Sequence, residues 1–261
     1  MTVESKLAQK LYDNAELVKV GTTNAEPESF KPIEISATLR QAAKLERERS
    51  GRMSGAEPSS RERILDAAEA LFGVDGPDVV SLRDISARSG AATGLIHYHF
   101  PAKESLLEEV VARRASILSE LRRNELALLG DNPGVRELLE AFVRPLAELG
   151  SGPDRGWASY CRLISLIASS EARGALIAKH LDETAKLFIA ALKKAAPHAD
   201  ENDVLYGFGF TVILMANTIA KNQRIQTMSD GRLPAVDIPG IYHRMMDYCV
   251  AGLNALIAGK T

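Results

Sequence analysis

Apolar residues recur at helical spacing through nearly the whole chain from Ser59 onward. Ser59 or Ser60 can cap a first helix, which we expect to end within residues 73–77. The apolar face of this helix consists of Ile64, Leu65, Ala68, Leu71 and Phe72. Two short helices follow, at about residues 82–88 and 92–99, and Pro101 opens a long helix that runs to about residue 128. No alternating pattern of useful length occurs, so we predict an all-α protein.

The second half of the sequence predicts five more amphipathic helices, at about residues 133–149, 154–170, 172–196, 201–227 and 238–258. The segment 201–227 is apolar nearly all round in its middle, and we therefore expect it to be enclosed on most sides. No apolar stretch reaches the roughly 18–20 residues that cross a membrane, so no membrane partner is expected. Cys161 and Cys249 lie in apolar helical patterns without disulfide or zinc spacing, which fits a cytoplasmic protein.

The first 58 residues differ from the rest and predict a polar, flexible extension (1–58). Residues 40–52 hold five basic and two acidic side chains. Such a charged run is more typical of a solvated, partly helical arm than of an element that recognises DNA. The composition of Gly51–Ser60 marks a domain boundary. Because Met53 lies in it, residues 1–52 are either part of the natural protein or an over-extended reading frame. Beyond the boundary we expect a domain at 59–105 and a helical domain at 106–261.

The segment Ser81–Phe100 has the pattern of a helix-turn-helix that binds DNA. Gly90 can supply the left-handed backbone that turns the chain between its two short helices. Ser81 can cap the first of them, with Asp84 three residues on. The apolar side chains expected to face inward are Ile85, Ala91, Ile96 and Phe100. This leaves the opposite side of the second helix free to face a groove.

Three blocks in order, RERILDAAEALF, SLRDISARSG and TGLIHYHFPAKESLL, resemble the tetracycline-repressor (TetR) family of bacterial regulators. The resemblance spans Ser59 to about Leu107, and the later helices match the family only in number and length. Carried over by position, it implies a DNA-contacting set of Arg61, Ser81, Arg83, Ala92, Thr93, Gly94, Leu95, His97, Tyr98, His99 and Lys103. Ser81 and Arg83 would touch phosphate or a base edge, and Lys103 would bind phosphate. Ala92 departs from the family because it cannot cap its helix, and His97 replaces a tyrosine.

The same resemblance implies a homodimer that pairs through the last two helices and reads a palindromic operator in double-stranded DNA. We also expect a cavity in the C-terminal domain for a small apolar or amphipathic effector, whose binding would release the repressor from DNA. The candidate lining residues are Phe142, Trp157, Tyr160, Cys161, Ile164, Phe188, Tyr206 and Met215. Ordinary core packing explains these residues equally well. No cofactor is expected, and His97 and His99 stand two apart on a helix, so they point away from each other and cannot share a metal.

The formal net charge of −2 gives no basic bias, and residues 59–105 hold five basic and seven acidic side chains. The placement of Arg61, Arg63, Arg83 and Lys103 on one side would still allow DNA binding. Two other functions remain open: a helical interaction protein without specific DNA binding, and an enzyme in the C-terminal cavity using Tyr160, Cys161 and His180. Because no GxSxG, HExxH or phosphate-loop motif occurs, we interpret the chain as a ligand-responsive repressor rather than an enzyme. Activation and co-repression are alternative outputs.

Overall fold

A computed structural model describes residues 37–50, 58–234 and 238–258 of the chain. These residues form helices joined by short loops, and no strand occurs among them, so the predicted all-α class is confirmed. The helices are α1 Ala37–Ser50, α2 Ser60–Asp75, α3 Leu82–Ser89, α4 Thr93–His99, α5 Lys103–Leu128, α6 Val135–Ser151, α7 Arg155–Ala168, α8 Gly174–Ala195, α9 Glu201–Ile219, α10 Arg224–Met228 and α11 Ile238–Ile257. No helix in these ranges is both long enough and apolar enough to cross a membrane.

Helix α2 begins at the predicted serine. The Ser59 hydroxyl accepts a hydrogen bond from the Glu62 amide at 3.2 Å, and the Ser59 amide donates to the Glu62 carboxylate at 2.8 Å. This reciprocal pair satisfies two amides that the helix itself leaves without partners. Ile64, Leu65 and Phe72 are buried on the inner face, as their spacing predicts.

Helix α1 differs from the solvated arm that its charge predicts. It is helical, but Ala42 and Leu45 are buried, and the helix packs against α5 and α6. The Glu46 carboxylate accepts a hydrogen bond from the Trp157 indole at 2.9 Å, and burial raises the pKa of Glu46 despite the nearby cation of Arg114. The basic residues are interleaved with small and apolar ones, so that one helix face can pack while the other stays in water. The remainder of the extension lies outside the described residues.

Helices α5 to α9 and α11 form the C-terminal part. Helix α5 packs against α6 and α8, while α9 packs against α11 and, less extensively, against α7 and α8. The predicted helix 201–227 ends earlier, at Ile219, and a short helix α10 follows. Lys221 takes a positive φ of 61°, and the Asn222 side chain accepts a hydrogen bond from the Arg224 amide at 2.8 Å. The backbone therefore turns where the apolar pattern alone continues.

Helix α7 lies unusually close to α2. A side chain at Gly73 would place its Cβ 2.5 Å from the Ser159 carbonyl oxygen, so only glycine allows this approach. The Arg162 guanidinium donates to the Gly73 carbonyl at 3.0 Å across the same contact. The first helix of the predicted DNA-binding segment is thus packed directly on the C-terminal part.

Candidate nucleic-acid interface and interior site

Helices α3 and α4 form the predicted turn. The Ser81 hydroxyl and amide both bond to the Asp84 carboxylate, at 2.6 and 2.8 Å, and these bonds lower the pKa of Asp84. Gly90 has the left-handed φ of 68° that the tight turn requires. Ile85 and Ile96 are fully buried, so the core face of the motif lies inward as its spacing predicts.

The opposite side of α4 faces solvent. Tyr98 is 81% exposed and Leu95 is 37% exposed, while Gly94 and His97 are also exposed. Ala92 caps this helix without a side-chain hydrogen bond, as the sequence predicts. An exposed, short helix with one tyrosine standing out from it has the dimensions to enter a major groove.

Other members of the predicted DNA-contacting set are already engaged by protein groups. Arg61 forms an ion pair with Glu109 at 3.0 Å, and His99 lies 3.3 Å from the Ser60 hydroxyl. Arg83 and Ala92 are exposed, and Thr93 is half-buried. Members of the expected set therefore differ in how freely they could contact DNA: Arg83 and Tyr98 are exposed, whereas Arg61 already has a protein partner.

Lys103, which the sequence predicts as a phosphate contact, also has a structural role within the protein. Its ammonium group donates to the Pro77 carbonyl at 2.8 Å and to the Val80 carbonyl at 3.2 Å. It thereby ties the loop between α2 and α3 to the start of α5. One of its three N–H groups is left over for a phosphate, and the phosphate contact stays a prediction.

A buried ion network joins α1, α2, α5 and α7. The Glu69 carboxylate accepts two bonds from Arg114 and one from Arg113, all at 2.9 Å. Arg114 also contacts Glu46 at 2.5 Å and Asp154 at 2.8 Å. Burial lowers the pKa of Arg114, but the three carboxylates outweigh it and raise that pKa overall. Sequence reasoning missed this network, although Glu69 and Arg114 both fall on otherwise apolar helix faces.

Most of the predicted effector residues form a packed interior. Phe142, Trp157, Tyr160 and Phe188 are at most 2% exposed, and the ring centroids of Trp157 and Tyr160 lie 5.6 Å apart, edge to face. The other buried members of the set are Cys161, Ile164 and Met215. All seven residues belong to one buried core and are carried by α6, α7, α8 and α9.

Tyr206 does not belong to this interior. It is 62% exposed and stacks on Phe210, with ring centroids 6.2 Å apart, on the outer face of α9. The physical reason is that α9 is apolar nearly all round, so its pattern cannot tell the inner face from the outer one.

Sequence reasoning also missed Arg122, which lies inside this core. Its guanidinium carbon stands 3.6 Å from the centroid of the Phe142 ring. Its Nε donates to the Phe142 carbonyl at 2.8 Å, and an Nη faces the Met215 sulfur at 3.6 Å. Burial lowers the pKa of Arg122 to about 9. The arginine interrupts an apolar stripe on α5, which is the one sequence signal that could have revealed it.

An exposed apolar face runs along α9 and α11. Its members are Leu205, Tyr206, Phe210, Ile213 and Tyr248, which are between 42% and 74% exposed. The apolar composition of α9 predicts a helix enclosed on most sides. Within one chain it is not enclosed in this way, because these side chains face solvent.

Two family models match the chain, one after the other. The model described as "Bacterial regulatory proteins, tetR family" matches residues 64–110, and the "Tetracyclin repressor-like, C-terminal domain" model matches residues 140–252. The chain belongs to the TetR family. The two matched ranges cover the helix-turn-helix and most of the helices that surround Arg122.

TetR-family relatives match parts of the chain. The transcriptional regulator BetI of Rhizobium meliloti is 32% identical over 90 residues, which are 34% of this chain and 43% of BetI. The transcriptional repressor KstR of Rhodococcus jostii is 33% identical over 96 residues, which are 37% of this chain and 42% of KstR. The matched part of the chain thus spans about two fifths of the length of these curated relatives.

Solved TetR-like structures share the fold. The fatty acid degradation regulator FadR from Bacillus halodurans aligns with a TM-score of 0.51 at 16% identity, over 76% of this chain and 98% of that one. A TetR-family transcriptional regulator from Bordetella parapertussis aligns with a TM-score of 0.53 at 20% identity, over 72% of this chain and 93% of that one. At these identities the likeness concerns the arrangement of helices.

Proposed function

We propose that this protein is a DNA-binding transcription regulator, a homodimeric repressor that a small molecule releases from a palindromic operator. The observation that carries the proposal is α4, which presents Leu95, His97 and Tyr98 to solvent on a buried helix-turn-helix scaffold. Membership of a family of bacterial regulatory proteins supports it.

The exposed face of α9 supports dimerisation. Tyr206, Phe210 and Ile213 stand at positions i, i+4 and i+7, so they form one stripe along the helix. Large apolar side chains clustered in this way usually mark an interface. A second copy of the chain would cover the stripe with its own α9 and α11. Two copies of α4 would then read two half-sites, which explains why the operator should be palindromic.

Helix α7 offers the physical connection between an interior ligand and the DNA-binding end. Tyr160 and Cys161 face the core from α7, while Ser159 and Arg162 contact Gly73 of α2. Because the α2–α7 contact has no spare room, a ligand that displaces α7 must also shift α2. A ligand with higher affinity for the shifted geometry would lower the population that fits the operator.

Selection of bound fragments from the organism's own DNA, followed by affinity measurements on operator and random duplexes, tests DNA binding. Tyr98→Ala should reduce the preference for operator by about 1–3 kcal/mol. Arg83→Ala should weaken both duplexes by similar factors and reduce the salt slope by about two, because each protomer of the dimer loses one phosphate contact. Leu128→Ala, at a side chain that is also 81% exposed but lies at the far end of α5, is the matched control. Equal wild-type affinity for operator and random duplex would refute the proposal and favour a helical interaction protein.

Sedimentation measurements test the dimer. Ile213→Asp places a charge in the centre of the exposed stripe and should convert the dimer to a monomer, with loss of operator affinity. Leu128→Asp should leave the dimer intact. A wild-type protein that sediments as a monomer at micromolar concentration would contradict this part of the proposal.

A further inference from the structure

The interior of the C-terminal part contains a cation without an acidic partner. Arg122 is 2% exposed, and no carboxylate of the described residues is among the groups that shift its pKa. The titratable groups that act on it electrostatically are Tyr160 and Cys161. Burial raises the pKa values of both, so both stay neutral at pH 7 and neither is a counterion. With its own pKa near 9, Arg122 stays protonated at pH 7. Hence a full positive charge is buried without a counterion from the described chain.

Two buried hydroxyl groups, one on the helix of Arg122 and one on a residue that acts on it electrostatically, are also unsatisfied. Among the described residues, the Tyr160 Oη and the Ser119 Oγ are buried and have no hydrogen-bond partner. Ser119 precedes Arg122 by three residues on α5 and therefore lies on the same helix face. Buried polar groups normally have partners, and leaving one unpaired destabilises the fold. A cation without a counterion and hydroxyls without partners are the kinds of donor that bind an oxyanion.

The rest of the surroundings are apolar. The Phe142 ring lies under the guanidinium, Phe188 and Phe208 stand edge to face with Phe142 at 5.1 and 4.9 Å, and Met215 contacts an Nη. One cation can neutralise one negative charge, and a dianion such as a phosphate monoester would leave a buried charge uncompensated. The planar guanidinium also matches the two oxygens of a carboxylate.

We propose that Arg122, assisted by Tyr160 and Ser119, anchors the carboxylate of a monoanionic effector whose remaining part is apolar. This inference rests on the proposed function for its consequence, because the effector is the molecule that would release the operator. The anchor spans two helices: Arg122 and Ser119 on α5, and Tyr160 on α7. Carboxylate binding would therefore act on the helix that contacts α2 at Gly73.

Calorimetry and fluorescence on the full chain can test this binding without DNA. Trp157 is the single tryptophan and packs edge to face on Tyr160, so its fluorescence reports on the site. The probes are straight-chain carboxylates from hexanoate to hexadecanoate, together with naphthoate and cholate. For each acid that binds, the corresponding alcohol, amine and phosphate monoester have the same apolar part and a different head group. We expect at least one acid to bind at least about tenfold more tightly than its alcohol, amine or phosphate analogue.

Three variants assign the preference to the proposed groups. Arg122→Met keeps the length and apolar stem of the side chain, and it should abolish the preference for acid over alcohol. Tyr160→Phe should weaken acid binding by about three- to tenfold and leave alcohol binding unchanged. Tyr242→Phe is the matched control, since its hydroxyl is likewise buried and without a partner in the described chain but lies on α11. It should leave both affinities unchanged.

Folding of Arg122→Met is checked by its thermal transition, and Arg122→Lys, which retains the charge, should keep part of the preference. An alcohol that binds as tightly as its acid, an unchanged preference in Arg122→Met, or failure of every acid to bind would overturn the inference. Operator affinity is measured separately without ligand. Specific operator binding without carboxylate binding refutes the anchor alone, whereas carboxylate binding through Arg122 without specific DNA binding refutes the proposed function alone.

Discussion

Replacing Glu69 by glutamine should destabilise the protein far more than the loss of an ordinary ion pair. The carboxylate is 2% exposed and accepts three charge-assisted hydrogen bonds, two from Arg114 and one from Arg113. Glutamine keeps the shape but removes the charge and presents an amide donor to the guanidinium donors. Breaking a buried pair by removing one partner typically costs about 3–5 kcal/mol.

The structure places the expected cost at the lower end of that range. Arg114 keeps contacts with Glu46 and Asp154, whose side chains are 33% and 46% exposed and so compensate its charge only in part. We expect a loss of about 3 kcal/mol in the free energy of unfolding. For a protein of this size that corresponds to a fall in Tm of about 6–12 °C.

Urea and thermal unfolding followed by circular dichroism measure this loss. Glu109→Gln is the matched control, because it breaks the exposed pair with Arg61 and should cost less than about 1 kcal/mol. The double variant Glu69→Gln/Arg114→Met should be less destabilised than the sum of the single variants, since it leaves no unpaired arginine at position 114. A cost below about 1 kcal/mol for Glu69→Gln, or strict additivity in the double variant, would show that the network does not stabilise the fold as argued.

Three further predictions concern the helix termini and the contact between α2 and α7. Ala92→Ser supplies the missing cap of α4 and should raise the free energy of unfolding by about 0.5–1 kcal/mol in urea titrations. Gly73→Ala brings a Cβ against the Ser159 carbonyl and should cost about 1–3 kcal/mol, whereas an unchanged Tm would mean that α7 moves freely. Asp84 has a pKa below its ordinary value of 3.8, so its contribution is present above that pH and is lost as the pH falls through the lowered pKa. Ser81→Ala should remove most of that acid dependence and cost about 1 kcal/mol at neutral pH, both read from unfolding curves at a series of pH values.

The helix-turn-helix was predictable from the sequence because local chemistry determines its ends. The expected helices 82–88 and 92–99 correspond to Leu82–Ser89 and Thr93–His99, and α5 ends at Leu128 as expected. A serine cap, a left-handed glycine and a proline each act within a few residues of where they stand.

Features that depend on tertiary packing were not predictable in the same way. Helix α9 ends early because Lys221 adopts a positive φ, and the sequence does not predict this conformation for a lysine. The exposure of Tyr206 depends on which face of an apolar helix meets the core. The counterions of Arg114 lie 40 or more residues away along the chain, and the isolation of Arg122 is a property of the folded interior.

The bonds from Lys103 to the carbonyls of Pro77 and Val80 have a mechanical consequence. They join the first turn of α5 to the segment that carries the chain into α3, so a tilt of α5 would rotate the helix-turn-helix with it. Since α5 is 26 residues long, about 39 Å at the usual rise, a small angular change at one end becomes a displacement of several ångströms at the other. In the proposed dimer, the spacing between the two copies of α4 would then change without either of them unfolding.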